Sequence, residues 1–140
     1  MKPMPGMLTP ETLPSGTLDP IKFAKYSEEK ANVVPVYADS QDLGIVSWNL
    51  LPGQANESHS HPYAAHCFVI VEGEGHYLKG EPGSAEYAEY PIKAGDTVVI
   101  PRNQIHGIRN TGKTPLSYFG ITTTAGGEYA RVVDGVVHKY

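Results

Sequence analysis

The chain has 140 residues and a mass of 15.2 kDa, which is the size of one domain. Its 15 glycines and 12 prolines exceed the ordinary share of about 12% for these two residue types, which argues against a helical bundle and for short elements joined by tight turns. A formal net charge of −4 and a pI near 5.8 give no electrostatic case for binding nucleic acid or an anionic membrane.

The N-terminal part of the chain is predicted to be an arm or loop. Its first 17 residues are rich in proline and small residues, and we assign residues 1–31 to this arm, which is expected to dock on the body of the protein or on a partner subunit. Asp19 and Pro20 have the residue types of a helix N-cap and of the first helical position, so a short helix is expected there.

From Asn32 onward, β-branched and aromatic residues recur in short runs that end at turn residues, as in an all-β protein. The predicted strands cover residues 33–37, 43–51, 67–71, 76–79, 85–92, 97–100, 107–109 and 116–123. A hairpin is predicted around Asp134 and Gly135, because this pair suits the positive φ angles of a type I′ turn. These runs, with at most one helix, predict an antiparallel sandwich or barrel over residues 32–140.

Four of the six histidines fall within 48 residues, which suggests a metal site. His59 and His61 are two apart, a spacing that puts both side chains on one face of a strand. His66 follows after a short connection, and His106 comes from a distant segment. A lone pair of histidines two apart also occurs by chance, so the metal interpretation depends on the residues around these four. His76 and His138 have no such partners in the sequence and are interpreted as structural or exposed.

The surrounding residues match a known pattern. Gly53, His59, His61, His66 and Gly73 are separated by five, one, four and six residues, which is the spacing of the first cupin motif.

The second cupin motif is matched further along by Gly95, Pro101, Asn103, His106 and Asn110. Asn103 stands where the family usually has glycine, and asparagine tolerates the left-handed conformation better than most residues. The sequence therefore resembles a small, single-domain (type 2) cupin. The resemblance implies an all-β jelly-roll barrel, or double-stranded β-helix, with little helix.

The resemblance also carries metal-ligand roles onto His59, His61 and His106. His66 occupies the position of the family's glutamate ligand, so it is either a fourth ligand or a residue beside the ligands. We predict that it binds the same ion. A histidine-only site leaves the full +2 charge on a divalent ion and suits transition metals rather than magnesium or calcium. One ion per chain is expected, with Fe(II) favoured and Zn, Ni, Mn or Cu as alternatives.

Three function classes remain open for such a site. The first, favoured by the resemblance to cupins with histidine-only sites, is an Fe(II) dioxygenase of the diketone-cleaving type that acts on a small oxygenated organic compound. The second is non-redox zinc or nickel chemistry in a hydrolase, isomerase, cyclase or lyase. The third is a non-catalytic cupin that binds a small molecule.

The predicted substrate pocket is lined by aromatic and basic residues: Trp48, Tyr63, Phe68, Arg102 and Phe119. Arg102 and Arg109 flank His106 and are candidates for meeting an anionic substrate. The predicted inward-facing apolar residues are Ile45, Phe68, Ile70, Val98, Ile100, Ile108 and Phe119.

The expected partners are a small-molecule substrate and a second copy of the chain in a homodimer, with no nucleic acid and no membrane. The single cysteine, Cys67, excludes an intramolecular disulfide, and the N-terminus has no apolar stretch of signal length, so a cytoplasmic location is expected.

Overall fold

The computed structural model describes residues 5–124 and 130–139. Within these residues it contains eleven strands and one short 3-10 helix, Pro20–Phe23. The strands are β1 (Asn32–Ala38), β2 (Leu43–Leu50), β3 (Ala55–His59), β4 (His66–Glu72), β5 (Glu74–Lys79), β6 (Ala88–Lys93), β7 (Thr97–Ile100), β8 (His106–Arg109), β9 (Leu116–Thr123), β10 (Ala130–Val133) and β11 (Val136–Lys139). The prediction of an all-β protein with little helix is confirmed.

Most strands belong to two antiparallel sheets. The larger sheet has the order β1-β2-β9-β4-β7, and the smaller has the order β3-β8-β5-β6. Strands that are far apart in sequence become neighbours, since β9 pairs with both β2 and β4 while β8 pairs with both β3 and β5. This topology brings β3 and β8, which carry two of the candidate ligands, side by side.

The core combines apolar side chains from both sheets. Along β4, His66, Phe68 and Ile70 are buried, whereas the alternate residues are half exposed, as expected for a strand with one inward face. The buried cluster comprises Leu50, Phe68, Ile70, Tyr77, Ile92, Val98, Ile100, Ile108, Leu116 and Tyr118. Because this cluster fills one part of the interior, the histidines occupy a small remaining space.

Two residues predicted to point into the barrel lie elsewhere. Ile45 is only half buried, and Phe119 lies on the outer face of β9, where its ring meets that of Phe23 edge-on at 5.9 Å between centroids. Because side chains alternate along a strand, the buried Tyr118 takes the inward position next to Phe119. The other predicted core residues, Phe68, Ile70, Val98, Ile100 and Ile108, are buried.

The described part of the N-terminal arm packs against the barrel of its own chain. Leu8 forms a parallel bridge with Tyr37 on β1, and the Ser47 hydroxyl donates a hydrogen bond of 3.1 Å to the carbonyl of Phe23. The helix expected near Asp19 is a single 3-10 turn, and the Asp19 side chain makes no capping hydrogen bond. The homodimer stays a prediction, which light scattering of the purified protein would test.

Two turns have the backbone conformation predicted from their residues. Asp134 and Gly135 have φ angles of 49° and 78°, as the type I′ turn of the β10–β11 hairpin requires, and Asn103 has a φ of 68°. The hairpin joins the smaller sheet through hydrogen bonds between Ser60 and Val132 at 2.7 and 3.0 Å. The described residues contain no helix that is long and apolar enough to cross a bilayer.

Candidate metal centre

Three histidines converge at one end of the barrel, two from neighbouring strands and one from just beyond the end of the first strand. His59 is the last residue of β3 and lies directly opposite His106, the first residue of β8. His61 follows two residues after His59, beyond the bridge at Ser60. All three are buried, and one ring nitrogen of each lies within 4.8 Å of the others. We call His59, His61 and His106 the three-histidine centre.

Backbone carbonyls fix the orientation of two of these rings. Nδ1 of His59 lies 2.6 Å from the carbonyl oxygen of Glu57, and Nδ1 of His106 lies 2.7 Å from that of Gln104. A carbonyl only accepts, so each Nδ1 carries the proton and donates it, which leaves the lone pair on Nε2. Nε2 of His106 is buried and has no hydrogen-bond partner within the described residues. A buried nitrogen of this kind fits the role of a metal ligand.

The interior keeps the rings of His59 and His106 neutral. Burial, with the nearby His106 and Arg131, lowers the pKa of His59 to about 2, and burial lowers the pKa of His106 to about 4. Neutral imidazole is the form that binds metal ions. A donor set of three histidine nitrogens suits one divalent transition metal.

The structure does not bring His66 into the three-histidine centre. Its ring stacks on that of His61 with 3.9 Å between centroids, and its Nε2 lies 3.2 Å from Oγ1 of Thr122, its cross-strand neighbour on β9. Burial and the nearby His61 lower the pKa of His66 to about 2, so it too is neutral. His66 thus adjoins the centre and contacts one of its members, and its binding of the same ion stays a prediction that metal titration of His66→Ala tests.

A cavity of about 30 Å³ adjoins the three-histidine centre. Its walls are formed by Val46, Trp48, Asn56, His59, His61, His66, Phe68, Gly120, Thr122 and Arg131. The structure therefore places Trp48 and Phe68, two of the predicted pocket residues, next to the histidines. A wider cleft of about 310 Å³ touches His59 on another side, but His61 does not line it, and His106 lines neither the cleft nor the smaller cavity. The smaller cavity is for this reason the candidate substrate site.

Three other predicted pocket residues lie away from this cavity. Tyr63 is 38% exposed in the loop before β4, and Arg102 is exposed in a shallow surface depression beside the turn at Asn103. Phe119 faces the N-terminal segment. Arg109, the other candidate for meeting an anion, is also exposed. None of these four side chains lines the cavity beside the three-histidine centre.

Sequence reasoning missed three polar residues of the cavity. Asn56 donates a hydrogen bond of 3.1 Å to the buried hydroxyl of Tyr118, and Thr122 contacts His66. Arg131 enters from β10 and donates a hydrogen bond of 3.0 Å to Oδ1 of Asn56. No motif marks these positions, although Asn56 and Thr122 lie within strands that carry or neighbour the histidines.

Comparison with known proteins agrees with this architecture. The model of the Cupin domain family matches residues 46–122, a span that includes all four histidines. The chain belongs to the cupin family. This cupin is also similar in fold to a double-stranded beta-helix protein from Klebsiella pneumoniae, with a TM-score of 0.72 and 23% identity, covering 85% of this chain and 98% of that one. The predicted cupin jelly-roll is confirmed.

Curated relatives of this cupin are similar over part of their length. Germin-like protein subfamily 1 member 15 from Arabidopsis thaliana is 32% identical over 108 residues, which cover 70% of this chain and 48% of the relative. Oxalate oxidase GF-3.8 from Triticum aestivum is 31% identical over 94 residues, which cover 54% of this chain and 41% of the relative. The chain thus spans less than half the length of these relatives.

Proposed function

We propose that this cupin is a metal-dependent enzyme that binds one divalent transition metal at the three-histidine centre and acts on a small oxygenated organic compound. The observation that carries the proposal is the buried Nε2 of His106, which lacks a partner in the described structure and lies beside ligand nitrogens of two other histidines. A polar atom buried in this way costs free energy unless a ligand satisfies it.

Within this class we favour an Fe(II) dioxygenase of the diketone-cleaving type. With only His59, His61 and His106 as protein ligands, a bound ion would keep part of its coordination sphere open to substrate. A bound ferrous ion would supply the reactivity toward dioxygen. The relative named oxalate oxidase supports an oxidation of a small oxygenated compound, because that is the chemistry its name states.

The residues around the cavity have separate roles in this proposal. Trp48 and Phe68 form apolar walls that exclude bulk water from the reacting centre. The neutral ring of His66, hydrogen-bonded to Thr122, packs against His61 and holds its plane.

One alternative has an observation in its favour. No aspartate or glutamate lines the cavity, so a zinc or nickel ion would keep its full charge and act as a Lewis acid in a hydrolase, isomerase, cyclase or lyase.

Metal analysis of the full chain, purified without a histidine tag, tests the proposal. We expect about one ion per chain in the wild type, and loss of the ion in His59→Ala and His106→Ala. His138→Ala, which changes an exposed histidine on β11, serves as the control and should keep the ion. Equal metal content in His106→Ala and His138→Ala would contradict the proposed centre.

Oxygen consumption then separates the function classes. Iron-loaded protein should take up dioxygen only when a substrate is added, whereas zinc- or nickel-loaded protein should not. Turnover with zinc and without dioxygen would favour the second class. Ligand binding with no turnover for any of these metals would favour the third.

A further inference from the structure

One arginine reaches the cavity beside the three-histidine centre. The paired hydrogen bonds between Ser60 and Val132 hold β10 against the residue that separates His59 from His61. From this position Arg131 lines the cavity, with its guanidinium carbon 5.8 Å from the ring centre of Trp48. The cation thus lies over an aromatic face, which favours a fixed orientation of the side chain.

The hydrogen bonds of this guanidinium are incomplete. One Nη2 hydrogen bond goes to Oδ1 of Asn56 at 3.0 Å. The same Nη2 lies 3.2 Å from Nδ1 of His59, but that nitrogen already donates its proton to Glu57, so it offers Arg131 no lone pair. Nε of Arg131 is buried with no partner in residues 5–124 and 130–139. An arginine is always charged, so this donor favours a ligand that accepts a hydrogen bond.

The cavity also lacks a negative charge to balance Arg131. None of its lining residues is an aspartate or a glutamate. Across the described residues the one ion pair joins Lys93 to Asp96, so no carboxylate of the described chain pairs with Arg131. With a divalent ion held by neutral histidines, the site would combine two positive centres. A site of this kind attracts anions.

We propose that Arg131 binds the carboxylate of the substrate, so that this cupin acts on a small organic acid with a second oxygen donor beside the carboxylate, such as a 2-oxo or 2-hydroxy acid. The guanidinium suits a carboxylate because its N–H groups form parallel hydrogen bonds with both oxygens. The second oxygen faces the three-histidine centre. The cavity of about 30 Å³ restricts the acid to a few carbon atoms. This inference rests on the proposed metal site.

Fluorescence of Trp48 provides a direct measure of binding, since it is the chain's single tryptophan and contacts Arg131. The zinc-loaded full chain would be titrated with pyruvate and lactate, and with the uncharged pyruvamide and lactamide of the same size. We expect the wild type to bind each acid at least about tenfold more tightly than its amide. Arg131→Gln should lower this preference severalfold while metal content stays unchanged, because the ion alone still favours an acid over its amide.

Two further variants make the test specific. Arg131→Lys keeps the charge but loses the planar fork, so it should retain part of the preference for acids. Arg102→Gln, at an exposed arginine outside the cavity, should behave as the wild type. If Arg131→Gln fails to fold by circular dichroism, weaker acid binding by Arg131→Lys with unchanged metal content supports the proposal, and unchanged acid binding overturns it.

The remaining outcomes separate this inference from the proposed function. Equal affinity of the metal-loaded wild type for acids and amides overturns the role of Arg131 and leaves the metal site in place. Loss of metal in folded Arg131→Gln, with the preference for acids retained by the loaded fraction, also overturns it. A wild type that binds no metal refutes the proposed function itself.

Discussion

At the residue scale, the three-histidine centre depends on which nitrogen of each ring carries the proton. The carbonyls of Glu57 and Gln104 hold the protons of His59 and His106 on Nδ1, so both Nε2 lone pairs are free to bind an ion. These contacts are local, because each carbonyl belongs to the residue two positions before its histidine. The backbone of β3 and the turn before β8 therefore prepare the ligand atoms before any ion arrives.

His66 is expected to support the centre without binding the ion. Its Nε2 contacts Thr122 and its ring stacks on His61, so His66→Ala should keep about one ion per chain and lower metal affinity by about tenfold. His106→Ala, which removes a member of the three-histidine centre, should lower affinity by about 100-fold or more. Competitive titration with a chelating dye measures both. Equal losses in the two variants would restore His66 as a fourth ligand.

The histidines could be identified from sequence because their spacing and the glycines around them are local features of the chain. The role of Arg131 could not, because it lies 25 positions after His106 and enters the cavity only through the docking of β10 at Ser60. Only some of the aromatic residues predicted to line the pocket do so. Trp48 and Phe68 lie at inward positions of their strands, and Phe119 lies one position away from an inward one.

At the element scale, most strands and turns follow from local residue preferences. The runs of β-branched and aromatic residues predicted β2, β4, β7 and β9 to within a residue or two of their observed bounds. Strand β3 (Ala55–His59) was missed, because its residues are mostly polar and it is defined by its pairing with β8. Strand propensity cannot reveal an element that a distant neighbour stabilises.

The turn between β4 and β5 requires glycine for two reasons. Gly73 has a φ of +85°, and a Cβ there would overlap the carbonyl oxygen of Pro115 and lie 2.9 Å from Cα of Leu116. Gly53 has a similar φ of +86°, but a Cβ there meets no atom within 4 Å. Alanine substitutions at the two glycines therefore distinguish the cost of a left-handed backbone from the cost of steric overlap.

Gly53→Ala is expected to lower the free energy of unfolding by about 1–2 kcal/mol, the penalty for the left-handed backbone alone. Gly73→Ala should lower it by about 3–4 kcal/mol, because the loop at Pro115 must also move. Urea unfolding of both variants, followed by circular dichroism, measures the difference. Equal losses would show that the overlap at Pro115 is relieved without cost.

At the scale of the whole molecule, the fold encloses a polar centre inside an apolar barrel. Both sheets contribute to it, since His66 and Thr122 belong to the larger sheet while His59 and His106 belong to the smaller one. A proton added to any of these buried rings introduces a charge that the surroundings solvate poorly. The stability of the whole barrel is therefore coupled to the protonation of the histidines.

The metal-free protein should therefore lose stability at a higher pH than the protonation of its other titratable groups alone would cause. The pKa values of His59 and His66 are lowered to about 2, and that of His106 to about 4, mainly by burial. Below a pH of about 6.5 the unfolded chain takes up protons on these residues and the folded chain does not, so stability falls as the pH falls. Each such histidine contributes up to about 1.4 kcal/mol per pH unit, and the contribution of His106 ends near pH 4.

The test is urea unfolding of chelator-treated protein at several pH values between 7 and 5. His66→Gln removes one of these proton-binding groups, so its free energy of unfolding should change less steeply with pH than that of the wild type, by up to about 1.4 kcal/mol per pH unit. His138→Gln, at an exposed position on β11, provides the matched control and should keep the wild-type slope. If wild type, His66→Gln and His138→Gln share one slope, then His66 takes up protons equally in the folded and unfolded states, and burial does not suppress its charge.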